Sequence, residues 1–581
     1  MRMFLFPVLV LAVFLSCKVQ NRQAETNSAS NAPPSERQAL VQRDQRTPGY
    51  IPASRPATSS ASFPISQYED PLPELDLSAG RLPHEQPGVR IIYPDRGCHS
   101  WTECGINDPK VRYFLITPGH YVDWGKLELS ASGTDREPRI LRYYDPRSRD
   151  PYHPPHPVKL AGQPDKEVVL ENFVFDGADH WILHGLTFRG KGVQKRGIVG
   201  GHVSQIKDGA DHNAIDYCLI EHFAGIAAIR IFESNYNVIQ NSVIRDKAEG
   251  LGVDMGGIGI SAGYQAESRG NRIVNNEIYN LTDAIGLIYN VARDGDPERS
   301  QVGEVPATII ENNDFYIEPR LYRQKGNETW ACAEDGMDLK AGTKSTDPRD
   351  RIRILNNRLW GFRPTDQSCG GSGSTGAGIV IHRNASNILI EGNIFFDLTQ
   401  GITAFGKNRK YPDEEVEHIA IINNLFYNLR DAVPGNPNSG QAFRLSTGVD
   451  MYYNTVAKAR SLLFVQEKRA TNRVQCNTFI DIREAEPWEN NRQSWSNLNA
   501  WYNYPDEGRI YAHRGNSNVI GRSASDAKLG DLTFYVRRWT GPEKKTFSNV
   551  VPTGQLLGPK ITPEQGCHCG KGGEGGRWWV E

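Results

Sequence analysis

The sequence predicts an all-β chain wound as a parallel β-helix, a solenoid of short strands, and three observations predict it. An asparagine returns between a β-branched run and an apolar pair, at Asn241, Asn276, Asn313, Asn357, Asn393, Asn424, Asn454 and Asn477, at intervals of roughly 23 to 44 residues. Residues 272–279 (RIVNNEIY), 353–360 (RILNNRLW) and 389–395 (LIEGNIF) show the pattern. The runs on either side of each asparagine are too short to stand alone, so each repeat must bury its apolar face against its neighbours. A second series opens on glycine or alanine and then alternates: residues 225–230 (GIAAIR), 257–261 (GIGIS), 284–288 (AIGLI), 336–340 (GMDLK), 378–382 (GIVIH) and 401–405 (GITAF). Unequal intervals imply loops of different lengths between turns of the solenoid.

Taken in order, the chain opens with Arg2 and an apolar run that ends at Ser16 and Cys17. This is the layout of a signal peptide over residues 1–17, too short for an ordinary transmembrane helix. Ser16-Cys17 resembles a lipobox, whose cysteine is acylated, so Cys17 is the expected lipidation site. Export follows, either as an outer-membrane lipoprotein or into the extracellular space. Residues 18–80, rich in Ser and Pro without periodicity, read as a disordered tether. The β-helix is expected over residues 85–550, opening near 111–119, passing through 168–170 and 181–183, and running in regular turns to about Ile482. A capping segment that includes residues 532–537 is expected over its exposed end. The tail, 551–581, holds Cys567-His568-Cys569, which lacks the second ligand pair of a structural zinc site.

Composition excludes some classes. A solenoid of 581 residues lengthens by adding repeats and needs no second core. With 66 Lys and Arg against 68 Asp and Glu, the net charge of -2 gives no bulk attraction to nucleic acid. A monomer whose one membrane contact is its lipid anchor is expected. The 23 Tyr and 11 Trp suit surfaces that stack on sugar rings. Export also permits disulfides. Cys98 and Cys104 flank a short loop, and Cys332 and Cys369 lie in long loops on either side of one repeat. Cys218 and Cys476 fall in apolar runs and read as core thiols.

Residues 332–340 (CAEDGMDLK) place three acids and a lysine on a strand of the repeat. Alternation sends Met337 and Leu339 inward with Ile379 and Ile381, and Asp338 and Lys340 outward with Val380 and His382. Glu334 and Asp335 fall where the strand begins, and Asp283 shares the register of Asp335 one turn earlier. The four carboxylates Asp283, Glu334, Asp335 and Asp338 are expected to converge, and hard oxygen donors of this kind suit calcium. The plainer reading is a solvated acidic turn in which Lys340 pairs with Asp338. Trp330 and Tyr289 are candidate sugar platforms, whereas Trp360 sits in the asparagine repeat and reads as core. His202, His212, His222 and the acids of residues 208–216 scatter without metal-ligand spacing.

An acid-rich strand ending in lysine, followed one turn later by a basic residue before an asparagine turn, resembles the right-handed β-helix polysaccharide lyases. The nearest resemblance is to the alginate lyase and chondroitinase B family. The Glu334-Asp335-Gly336-Met337-Asp338 stretch also resembles the acidic calcium motif of exopolygalacturonate-type pectate lyases. The resemblance implies a single-stranded right-handed parallel β-helix of the pectate-lyase-like type, with an acidic polysaccharide as partner and β-elimination at a uronic acid as the reaction. It implies calcium held by the four carboxylates, Lys340 as the base, and an arginine on the next turn in an Arg-His-Gly context. Here Ile381-His382-Arg383-Asn384 inverts that order: counting back from Asn393 selects Arg383, counting along the strand selects His382, and both stand as candidates. Two rivals remain on the same fold. One is a glycoside hydrolase, which needs paired acids at a defined separation, and the other a non-catalytic, surface-anchored carbohydrate binder or adhesin. A uronate epimerase would show an Asp-Pro-His-Asp stretch, which the sequence lacks.

Overall fold

The computed structural model describes residues 86–152, 154–190, 204–223, 227–246, 256–261, 268–288, 307–318, 334–340, 351–362, 376–382, 385–404, 416–429, 440–445, 448–465, 472–475, 477–483, 495–497, 500–502 and 519–521. All of them belong to one compact unit, Ser59–Gly576. Cys17, Tyr289, Trp330, Arg383, the Cys332 and Cys369 pair, Cys476, the tether, the expected cap at 532–537 and the tail lie outside the described residues.

The chain is a parallel β-helix of three sheets, here called A, B and C, with 14, 14 and 11 described strands. One turn of the solenoid runs through Val238–Gln240 in sheet A, a tight corner, Val243–Arg245 in sheet B, a longer connection, Gly256–Ser261 in sheet C, and back to sheet A at Arg272–Val274. Each pairing is parallel, strand upon the equivalent strand of the next turn. In sheet C the register Ile229, Ile258, Ile285, Met337, Ile379, Ile402 is continuous, and all six side chains are fully buried. Stacked β-branched and long apolar side chains thus fill the interior, where successive turns supply each other's missing neighbours.

The asparagine series has a physical cause at the A-to-B corner. Asn276 Oδ1 accepts the backbone N–H of Ser242 at 3.0 Å, and Asn313 Oδ1 accepts that of Asn276 at 2.8 Å. The ladder continues through Asn357, Asn393, Asn424, Asn454 and Asn477 at 2.8–3.0 Å. Each amide also donates to a strand carbonyl, as Asn276 Nδ2 does to Ile239 O at 2.8 Å. Buried corner groups that no strand can reach are satisfied in this way. One member is corrected: the turn containing Asn241 contributes Ser242, whose Oγ accepts from Cys218 N at 3.0 Å. Asn241 belongs instead to the neighbouring column with Asn275, Asn312, Asn356 and Asn423, all with φ between 49° and 58°, the left-handed region that asparagine tolerates best after glycine.

The glycines that open the sheet C strands are also explained. A Cβ on Gly378 would lie 2.5 Å from Phe395 Cδ1, and one on Gly336 would lie 2.7 Å from Leu359 Cδ2. Both positions face inward against the large residues of sheet B, where there is no room for a side chain. Because the next residue, Met337 or Ile379, also faces inward, the strict alternation begins only after this point. Regular pairing extends beyond Ile482 into Trp495–Asn497 and Ala500–Tyr502, and to Val519–Gly521 in sheet B. Trp360 is buried as expected, 5% exposed, but in an apolar cluster separate from the interior that holds Leu359, in a column of stacked rings with Tyr316 at 4.3 Å and Phe396 at 5.2 Å. Cys98 and Cys104 form a disulfide, and burial pushes the Cys218 thiol up to about 12.

Candidate functional site

The outer face of sheet C is where side chains leave the core. Asp335–Lys340 pairs with Asp283–Ile288 before it and Ala377–His382 after it, with Asp283 opposite Asp335 and Lys340 opposite His382. Met337, Leu339, Ile379 and Ile381 are fully buried inside, leaving Asp338, Lys340 and His382 on the outer surface. Alternation in sequence fixed this arrangement correctly.

Asp338 is the centre of the cluster. Its Oδ1 lies 2.7 Å from His382 Nε2, reached diagonally from the next turn, and its Oδ2 is ion-paired with Lys340 Nζ. The Asp338 side chain is 12% exposed, against 26% for Lys340 and 22% for His382. An acid is therefore held beneath two basic groups that reach solvent. Burial pushes the Asp338 carboxyl upward, but the hydrogen bond with His382 and the Lys340 charge outweigh it and hold the group below its usual 3.8. A carboxylate bonded to Nε2 fixes that nitrogen as the protonated one in the neutral ring, making Nδ1 the acceptor.

Among the described residues, two outward positions beside this cluster carry no side chain. The outward position one turn earlier is Gly286, and the next is Gly259, in register with Asp338. A Cβ added to Gly286 would meet no atom within 4 Å. Beyond Gly259 the column reaches Arg230, whose guanidinium lies 4.5 Å over the Phe232 ring. On the other side stand Val380, Thr403 and Arg444. The sequence series "Gly-x-Gly" and "Ile-Gly-Leu" carried this signal, because an outward glycine in a strand leaves space for an approaching group.

The four expected calcium ligands are brought to one edge but are not gathered. Asp283 Oδ1 accepts the backbone N–H of Asp335 at 3.1 Å, and Asp335 Oδ1 accepts that of Ala377 at 3.1 Å. These two acids stitch successive turns together as the asparagines do at the other corner. Asp338 has both oxygens engaged by basic groups. Glu334 is half-buried at the head of the strand. Among the described residues no three of these carboxylates bring ligand atoms within 4.8 Å of one another, so the set does not fit a calcium cage. Arg383, Tyr289 and Trp330 are not among the described residues.

One grouping was missed in sequence. His212, read as scattered, stacks on His180 with ring centroids 4.9 Å apart, and both lie near Asp135. The three residues come from three different turns, so no spacing rule for a single loop could find them. The recoverable signal was the recurrence of Asp-His at residues 179–180 and 211–212.

No family model matches the sequence, and neither does any curated protein. Among solved structures the chain is similar to a family 6 polysaccharide lyase, the alginate lyase AlyGC, at 13% identity and a TM-score of 0.41 over 75% of this chain and 52% of that one. It therefore spans about half of that lyase's length. A mannuronic-acid-specific family 6 lyase from human gut microbiota matches at 11% identity and a TM-score of 0.42, covering 76% of this chain and 93% of that one. Pectate lyase Pel9A matches at 12% identity and a TM-score of 0.36, over 81% and 88%.

Proposed function

We propose that the protein is an exported carbohydrate-active enzyme, a polysaccharide lyase that cleaves a uronic-acid polymer by β-elimination at the Asp338–Lys340–His382 cluster. The observation that carries the proposal is the geometry of Asp338, which orients a histidine and a lysine from adjacent turns beside two outward glycines, Gly286 and Gly259. Elimination removes the proton at C5, beside the uronate carboxylate, forms the C4–C5 double bond and expels the glycosidic oxygen from C4, which takes up a proton from solvent. That proton becomes acidic only when the carboxylate charge is neutralised. The Lys340 ammonium, kept charged by its ion pair with Asp338, supplies that neutralisation, and an arginine such as Arg383 would reinforce it. His382 is then the group suited to take the proton, because Asp338 holds its Nε2–H and so directs Nδ1 as acceptor. This assignment moves the base from Lys340, the candidate expected from sequence, to its alternative His382. A lysine paired with a carboxylate is a poor base, since the pair favours its protonated form.

The proposal routes no step through calcium. Hydrolysis is disfavoured by the register: the places opposite Asp338 are Gly286 and Val380, neither of which supplies a second carboxylate.

The test is absorbance near ~232 nm, where the unsaturated product of such an elimination absorbs. Purified protein would be incubated with alginate, pectate, chondroitin sulfate and hyaluronan, with and without a calcium chelator. A signal on one polymer that His382→Ala and Asp338→Asn abolish supports the lyase. Silence on every polymer, with binding retained, would establish the carbohydrate binder instead. A signal lost with chelator alone would restore calcium to the reaction.

A further inference from the structure

We propose that Asp135, His180 and His212 form a binding site for one divalent transition-metal ion of the zinc type, on the corner between sheets C and A and away from the Asp338 cluster. The corner repeats a pair of residues on successive turns: Asp179-His180, Asp211-His212 and Asn235-Tyr236. In each pair the second residue is in the left-handed region, at φ 56°, 60° and 56°. The shared conformation projects the rings in parallel, with 4.9 Å between His180 and His212 and 4.8 Å between His212 and Tyr236. The first residues of the pairs fix the backbone beneath. Asp179 Oδ1 accepts the N–H of Asp211 at 2.8 Å, and Asp211 Oδ1 accepts that of Asn235 at 2.6 Å.

Asp135 comes from the preceding turn, between Leu127–Leu129 and Arg139–Tyr143. It brings Oδ1 to 3.5 Å from His180 Nδ1. One ligand atom from each of Asp135, His180 and His212 lies within 4.8 Å of the others, the one such trio among the described residues. A second observation points to a ligand. His180 Nδ1 is buried and makes no hydrogen bond, the Asp135 contact being an ion-pair approach and not a hydrogen bond. A buried ring nitrogen in that state is the position an ion would satisfy. Asp135, Asp179 and Asp211 surround the two rings, so the field at the site is negative.

Two imidazole nitrogens with one carboxylate oxygen select a borderline ion such as zinc over calcium or magnesium. A shared ion lies in the plane of each ring, about 2.0–2.1 Å from each nitrogen. The two rings must therefore hinge out of their stack when the ion binds.

The test uses the full chain carrying Cys567→Ser and Cys569→Ser, which removes the other soft-ligand cluster, after stripping with chelator. Zinc alone is titrated in by calorimetry, and cobalt absorption reports the ligand field. One equivalent should bind, and His212→Phe and His180→Phe should each weaken binding at least tenfold. The metal-free melting temperature should stay unchanged, because Tyr236 shows that a six-membered ring fits the same turn position. Asp135→Asn, at an exposed side chain, should weaken binding without touching the fold. Absence of saturable zinc binding, or binding undiminished in all three variants, would overturn the site.

Discussion

The A-to-B corner and the outer face of sheet C are built from the same turns of one solenoid, yet they obey different rules. At the corner each turn supplies the same amide in the same place, from Asn276 to Asn477, and every amide is spent on the preceding turn's backbone. On sheet C the register is equally regular inside, but the outer column does not repeat one residue: it runs Arg230, Gly259, Gly286, Asp338, Val380, Thr403, Arg444. Repetition marks where the chain must hold itself together. Variation on a repeating frame marks where it meets something else.

The sharpest way to break this contrast is to show that the outer column is as structural as the corner. If the proposed reaction is correct, His382→Ala should lower kcat/KM by about 10³-fold, roughly 4 kcal/mol of transition-state stabilisation, measured by product absorbance. Its urea midpoint should move little, since a partly exposed side chain leaves no core cavity. A large loss of stability with activity per folded molecule intact would assign the cluster to the fold.

The corner should respond in the opposite sense. Asn276→Ala leaves the buried Ser242 N–H and Ile239 carbonyl without their partner, at a cost of about 3 kcal/mol in urea unfolding with activity per folded molecule unchanged. Its sequence neighbour sharpens the point. Asn275 has φ 57°, so Asn275→Ala should cost about 1 kcal/mol through backbone strain, and Asn275→Gly nearly nothing.

Sheet C contains its own internal version of the comparison. A Cβ added to Gly378 would lie 2.5 Å from Phe395 Cδ1, whereas one added to Gly286 would meet no atom within 4 Å. Gly378→Ala should destabilise by about 2 kcal/mol through overpacking. Gly286→Ala should leave stability within about 0.5 kcal/mol of the parent while raising KM, because it fills the floor beside Asp338. Equal effects of the two substitutions on stability would remove the distinction between inward and outward glycines.

These positions also show how far the sequence could be read. The solenoid, the sheet C register and the outward placement of Asp338, Lys340 and His382 followed from periodicity, because stacking turns must repeat what they bury. The choice between Asn241 and Ser242 did not, since serine offers the same acceptor oxygen without the same letter. The carboxylates show a related limit. One oxygen each of Asp283 and Asp335 accepts a backbone N–H of the next turn, a use visible only when the stacking partner is in place. Asp135, His180 and His212 are 77 residues apart from first to last, and only the winding of the chain makes them neighbours.

The smallest effect concerns acid. The Asp338 carboxyl is held below its usual 3.8 by His382 and Lys340, against the upward push of burial. A depressed carboxyl contributes stability that is present above its unfolded value and is lost as pH falls through its lower folded value. The stability difference between the parent and Asp338→Asn should therefore be constant from neutral pH down to about 4 and shrink below it. Equilibrium unfolding of both proteins across that range measures the difference directly. A gap that instead closes between pH 5 and 7 would mean that the titrating partner sets the pairing and that Asp338 is not the fixed charge at the centre of the cluster.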